Sequence, residues 1–296
     1  MGYRVNSVRR LIGIGLAGSA MVAAVSLTSA LPASAAPLNR PAAKATYLAL
    51  GDSVAFGYVP PNAAPPPNYF DPSSFVGYPE DVAQALHIPV SNASCPGETT
   101  ASFFVPGAQS NGCENSLGSS VGYRTEFPLH VQYPGTQMQY ALRYLAKHRH
   151  TRLVTIDIGA NDLFLCQQTT TDACASPAEF QALLKKIQVN LAIIYALIRD
   201  VARYHGPLVA LTYYSLSYSD RTQVAGTKEL NSAIASVTEK FGGRVADGFA
   251  AFEGPSLAAG GTPCAAGLLI KVADGCNIHP SPAGHLLLAK AIEDVI

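Results

Sequence analysis

The chain has 296 residues, of which 48% are hydrophobic, and its 20 basic and 20 acidic side chains leave a formal net charge of zero. This length suits one large α/β domain better than two small ones after a leader is removed. Because Lys and Arg form no cluster or stripe in the mature chain, the composition argues against nucleic acid or another polyanion as a partner.

The N-terminal segment has the pattern of a secretory signal peptide. Arg4, Arg9 and Arg10 precede an apolar stretch over residues 11–31, and residues 33–35 form an A-x-A cleavage site. A membrane anchor is the alternative, because the apolar stretch approaches spanning length. Its small residues and the cleavage site favour removal of the segment instead.

We therefore predict a signal peptide over residues 1–35, a linker over residues 36–45 and one domain over residues 46–296. No later segment is expected to be long and apolar enough to cross a membrane, since charged or amide side chains interrupt each apolar run. The mature protein is expected to be secreted, soluble and monomeric.

The rest of the chain alternates between strand and helix patterns. In chain order, these patterns predict a strand over Tyr47–Leu50, a helix near Tyr78–Leu86, a weak strand at Val90, a helix near Thr136–Lys147, a strand over Val154–Ile158, a helix over Pro177–Tyr204, a strand over Leu208–Tyr213, a helix near Thr227–Phe241, a weak strand at Val245 and a helix near Pro282–Asp294. Such alternation is typical of an α/β fold in which a parallel sheet has helices on both faces.

Four candidate site residues follow predicted strands or precede the last helix. Ser53 stands in a Gly-Asp-Ser turn, Gly97 follows a Cys-Pro pair, Asn161 stands in a Gly-Ala-Asn-Asp turn, and His279 precedes a proline. Each has an ordinary explanation as a helix cap, a turn or a structural histidine. Ligands of open α/β sheets, however, bind outside the carboxyl ends of the strands, which is where these residues fall.

Taken in this order, the four positions resemble the characteristic blocks of the SGNH (GDSL-type) hydrolase family, from about Thr46 to the C-terminus. The resemblance implies a three-layer α/β/α fold around a mostly parallel, five-stranded, flavodoxin-like sheet. It implies ester hydrolysis with Ser53 as nucleophile and His279 as base, on a small-molecule or lipid ester and without a cofactor. The oxyanion hole would consist of the Ser53 and Gly97 N–H groups and the Asn161 side chain.

The last block departs from the family pattern, because many members carry Asp three residues before the histidine and this chain has Cys276 there. We expect the Cys276 backbone carbonyl to orient His279, which makes a dyad with Ser53. A triad completed by Asp274 is the alternative.

Six cysteines in an exported chain indicate disulfides, although six allow many connectivities. Their order favours the local pairs Cys95–Cys113, Cys166–Cys174 and Cys264–Cys276, which also look like those of secreted actinobacterial lipases in this family. A metal site is not predicted, since the chain has no CxxC or HExxH spacing.

The motifs indicate the type of reaction more closely than they indicate the substrate. A carbohydrate O-acetyl esterase, a thioesterase or an acyltransferase would share the four blocks, and a non-catalytic binding protein is a remote alternative. The aromatic residues near the motifs either line an acyl pocket or pack in the core: Phe56, Tyr58, Phe103, Phe104 and Phe164.

Overall fold

The computed structural model describes residues 45–296, so the predicted signal peptide (1–35) and residues 36–44 of the predicted linker lie outside the described residues. A five-stranded sheet is at the centre of the domain. Its strands are β1 (Thr46–Gly51), β2 (Val90–Asn92), β3 (Thr151–Asp157), β4 (Leu208–Leu211) and β5 (Arg244–Ala246). All neighbouring strands are parallel, in the order β2-β1-β3-β4-β5. This is the flavodoxin-like order, and it confirms the predicted fold class.

Helices follow the strands as the alternation predicted. They are α1 (Ser53–Phe56), α2 (Tyr78–Leu86), α3 (Tyr123–Glu126), α4 (Gln137–Lys147), α5 (Ala160–Thr169), α6 (Pro177–Ala196), α7 (Arg221–Lys240), α8 (Gly248–Ala258) and α9 (Pro282–Glu293). α9 packs against α2 and α8, whereas α6 packs against α7. The inner strands are largely buried because helices cover the sheet. In β4, for example, every side chain is buried.

The elements that were not predicted are α1, α3, α5, α8 and an antiparallel hairpin of β6 (Leu269–Val272) and β7 (Gly275–Pro280). α7 also begins at Arg221, six residues earlier than the periodicity indicated. Asp220 explains this start, since its carboxylate accepts the backbone N–H groups of Thr222 and Gln223 at 2.8 and 3.1 Å.

One expectation about membrane segments was wrong. By length and composition, the stretch Pro177–Val201 is long and apolar enough to cross a membrane, despite its charged side chains. Ile187, Leu191 and Ile194 on this helix are fully buried in the core of the described domain. Packing in the domain core thus accounts for the apolar residues on one face of α6, whereas Val189 and Ile193 of the same helix are exposed.

All six cysteines pair locally, as their order along the chain indicated: Cys95–Cys113, Cys166–Cys174 and Cys264–Cys276. The first bridge joins the two sides of the loop that contains Gly97. The second closes the segment after α5, and the third ties β7 to the loop before β6. Each bridge therefore braces a segment next to one of the predicted site residues.

Candidate active site

The turn after β1 presents Ser53 at the carboxyl end of the sheet. Gly51 has a φ of +142°, and a Cβ on it would lie 2.3 Å from the carbonyl oxygen of Asp157. Only glycine permits both this backbone conformation and this approach. Asp52 then caps α1, because its carboxylate accepts the Val54 N–H at 3.0 Å. As the first residue of α1, Ser53 has an N–H group without a helical acceptor.

Ser53, Asn161 and His279 line a single cleft with a volume of about 720 Å³. Ser53 follows β1 and Asn161 follows β3. Between these two strands the sheet order reverses, which is where ligands bind in flavodoxin-like folds. The structure thus brings three of the four predicted site residues to one cleft.

Gly97 is the exception, since it is buried and does not line the cleft. Its φ is +83°, and a Cβ would lie 2.5 Å from the Asn111 carbonyl oxygen. The Gly97 carbonyl also accepts the Asn111 N–H at 2.8 Å. Loop packing against Asn111 is therefore reason enough for a glycine here, independent of any oxyanion.

The partner of His279 differs from both expected ones. His279 Nδ1 lies 2.5 Å from Asn277 Oδ1, which also accepts the His279 backbone N–H at 3.1 Å. Neither the Cys276 carbonyl nor Asp274 takes this place, and Asp274 is exposed at the turn of the hairpin. With Asn277 Oδ1 as an acceptor, Nδ1 carries the proton and Nε2 is left free to accept one.

The hairpin that carries His279 is anchored to the sheet. Tyr214, which follows β4, donates its hydroxyl proton to the Ile278 carbonyl at 2.6 Å. The ring of Tyr58 also lies close to His279, with 4.9 Å between the two ring centroids. Both contacts restrict the position of the imidazole.

The pH dependence of activity follows from this environment. Burial lowers the pKa of His279 from its ordinary value of 6.5 to about 4, and within residues 45–296 no carboxylate hydrogen-bonds to the ring to raise it. As a general base, His279 would have to be neutral, so acidification would lower activity only when pH falls through this lowered pKa. Since the ring still borders the open cleft, we expect the acid limb of kcat/KM to lie below pH 6.5 and no lower than about 4. A limb at or above 6.5 in a pH series with a soluble ester would contradict the assignment.

Asn161 is held in one orientation by its neighbours. Its Nδ2 lies 3.3 Å from Asp52 Oδ2, while its Oδ1 accepts Asn111 Nδ2 at 3.0 Å. Gln168 in turn donates to Asn111 Oδ1 at 3.1 Å. The amino group of Asn161 therefore points toward the turn of Ser53 and has a second proton available for a ligand. Sequence reasoning missed Asn111, which lies in a long loop without a motif.

Beside the turn of Ser53 lies a buried carboxyl pair, Asp52 and Asp157, each only 1% exposed. Burial raises the pKa of both groups, and the mutual repulsion raises that of Asp157 further. Among the described residues, no donor reaches the Asp157 oxygens, whereas Tyr213 donates to Asp52 at 2.7 Å. Burial and repulsion thus favour a neutral Asp157 beside an ionised Asp52, which accepts from Tyr213 and the Val54 N–H. Both Asp157 and Tyr213 lie at strand ends, a position that could have identified them.

The aromatic residues near the motifs divide between the core and the cleft. Phe56 and Phe103 are fully buried in the core, and Phe104 packs against it. Of the five candidates for an acyl pocket, only Phe164 lines the cleft.

Comparison with known proteins identifies the family of this chain and structures that share its fold. The profile of the GDSL-like lipase/acylhydrolase family matches residues 49–287. Among solved structures, a lipase from a goat rumen metagenome has a TM-score of 0.53 at 16% identity, covering 85% of this chain and 97% of its own. An acetylxylan esterase from Geobacillus stearothermophilus has a TM-score of 0.50 at 18% identity, covering 84% and 93%. At this identity, the two structures show a shared fold.

No curated protein gives a significant match. The family match nevertheless spans most of the described domain and includes Ser53, Asn161 and His279. This chain therefore belongs to the GDSL-like lipase/acylhydrolase family and is a carboxylic ester hydrolase.

Proposed function

We propose that this protein is a secreted esterase or lipase that forms an acyl-enzyme on Ser53. The observation that supports this most is that Ser53, Asn161 and His279 line one cleft at the strand ends. His279 additionally has its Nδ1 engaged by Asn277, so that Nε2 is the basic nitrogen.

In the proposed first step, His279 Nε2 takes the Ser53 hydroxyl proton while Oγ bonds to the ester carbonyl carbon. The carbonyl oxygen becomes an oxyanion. The imidazolium then gives its proton to the leaving alkoxide as the C–O bond breaks. Water repeats the sequence on the acyl-enzyme, and the free acid leaves with Ser53 regenerated. Acyl transfer of this kind needs no cofactor.

The oxyanion would accept hydrogen bonds from the Ser53 N–H, the Gly97 N–H and the Asn161 amide. Support for Asn161 comes from the two contacts that orient it. Support for Gly97 is indirect: the Cys95 N–H donates to the Gly51 carbonyl at 3.1 Å, which brings the loop of Gly97 beside the nucleophile turn.

Replacement of Asn161 by alanine is expected to lower kcat by about 10²–10³ with little change in KM, because the donor matters mainly when the oxyanion forms. Asn111→Ala frees the Asn161 amide to rotate, and we expect it to lower kcat by about tenfold at unchanged KM. Steady-state kinetics on one soluble ester measure both effects. If either variant raised KM alone, the side chain would be binding substrate instead.

Secretion is supported by the three disulfides, which persist in oxidising compartments, together with the N-terminal sequence pattern. We propose that residues 1–35 are removed on export and that residues 46–296 act as a soluble, monomeric catalytic domain. Mass determination of the exported protein tests this, and an intact N-terminus would contradict it.

The direct test of the proposed function is a hydrolysis screen over p-nitrophenyl esters from acetate to palmitate, with thioester and acetylated-sugar substrates in parallel. We expect carboxylic esters to be cleaved with saturation kinetics. Absence of turnover on every ester, in folded protein, would overturn the proposal and favour a non-catalytic binding role.

A further inference from the structure

At one position of the cleft lining, a glycine leaves space where another residue would place a side chain. The gap lies at Gly226, in the second turn of α7. A Cβ built on Gly226 would meet nothing within 4 Å. The helical neighbours at three and four positions on either side also line the cleft: Thr222, Gln223, Glu229 and Leu230. Because these neighbours share a helix face with Gly226, its missing side chain would point into the cleft.

Another part of the cleft lining is apolar. Leu163 and Phe164 of α5 and Phe180 of α6 line it. The Cys166–Cys174 bridge braces the segment between these helices. The resulting groove runs between α5, α6 and the start of α7, and Ser53 lies in the same cavity.

Two further apolar side chains line this cavity while remaining open to solvent. Leu216 and Ile278 each keep 39% of their surface exposed. At the rim, Gln181 of α6 donates to Glu229 of α7 at 2.8 Å, which links the two helices across the groove. An apolar lining with polar residues at its edge is typical of a groove that binds a hydrocarbon chain. An acetyl group would leave most of a cleft of about 720 Å³ unfilled.

We propose that this groove takes the acyl chain of a medium- or long-chain ester, and that the absence of a side chain at Gly226 sets the chain length accepted. The inference rests on the proposed function of Ser53. Each methylene that enters the groove raises kcat/KM by about threefold to fourfold, through the apolar surface it removes from water. The wild-type enzyme should therefore prefer octanoate to acetate by at least about 10²-fold.

Substitution Gly226→Leu tests the role of the gap. We expect it to lower kcat/KM for p-nitrophenyl octanoate by about 10- to 100-fold and to leave acetate within about threefold, because only the longer chain reaches the new side chain. Gly226→Ala adds a single carbon to open space and should keep a profile close to wild type. Ser232→Leu places the same leucine on an exposed position of α7 outside the cleft and should change neither substrate.

The outcomes separate the inference from the proposed function. Cleavage of acetate and octanoate by the wild-type enzyme with an acetate preference would overturn the inference alone. So would an equal loss on both esters in a folded Gly226→Leu variant, as checked by circular dichroism. If the wild-type enzyme cleaved no ester, the proposed function itself would fail.

Discussion

Replacing Ser53 with alanine is expected to reduce kcat for ester hydrolysis by about 10⁴-fold or more, because no other group in the proposed mechanism forms the acyl-enzyme. The fold should persist, since the Ser53 side chain borders the cleft and α1 is capped by Asp52 rather than by Ser53. Rates on a soluble ester, together with thermal unfolding of both proteins, measure the two effects.

A serine-directed phosphonate provides the second readout for this prediction. It should add one adduct to the wild-type protein and none to Ser53→Ala, as seen by intact mass. Ser232→Ala, an exposed serine on α7, is the matched control and should label normally. Residual activity within about tenfold of wild type would show that Ser53 is not the nucleophile.

The second large effect is expected at Asn277. Asn277→Leu removes the acceptor of the Nδ1 proton and frees the tautomer and ring angle of His279. Loss of the corresponding orienting group in a catalytic triad costs about 10⁴ in kcat, so we expect a loss of about 10²–10⁴ for this neutral acceptor. KM should change little, because Asn277 does not line the cleft.

Two variants distinguish this role of Asn277 from a merely structural one. Asn277→Asp keeps an acceptor and adds a negative charge, which favours the imidazolium; the pKa of His279 and the acid limb of kcat/KM should therefore both rise. Asp274→Asn changes the exposed acidic residue of the same hairpin and should leave kcat close to wild type. A loss beyond about a thousandfold in Asp274→Asn would instead establish a triad completed by Asp274.

The sequence determined the fold class and identified the candidate site residues. Buried parallel strands are apolar runs over a few residues, so Tyr47–Leu50 and Val154–Ile158 could be recognised from local composition alone. The motifs around Ser53, Asn161 and His279 could also be recognised from the sequence, because each is a short pattern next to a predicted strand or helix. Cysteine order favoured the three disulfides that the structure contains, since each pair closes a short segment, but it left the other connectivities open.

Only the tertiary structure decided how those residues are held. Asn111 orients Asn161 from 50 positions away in the chain, and Asp157 meets Asp52 through the register of β1 and β3. Such contacts depend on chain topology, which local periodicity does not encode.

The same holds for the orientation of His279 and for the shape of the cleft. Asn277 was adjacent to the predicted partner of His279, but its role depends on the side-chain geometry within an unpredicted hairpin. The gap at Gly226 depends on the start of α7 at Arg221 and on the cleft that α7 lines together with α5 and α6. Composition and spacing thus determined which groups are present, whereas packing between distant segments determined which atoms they face and how much space lies beside them.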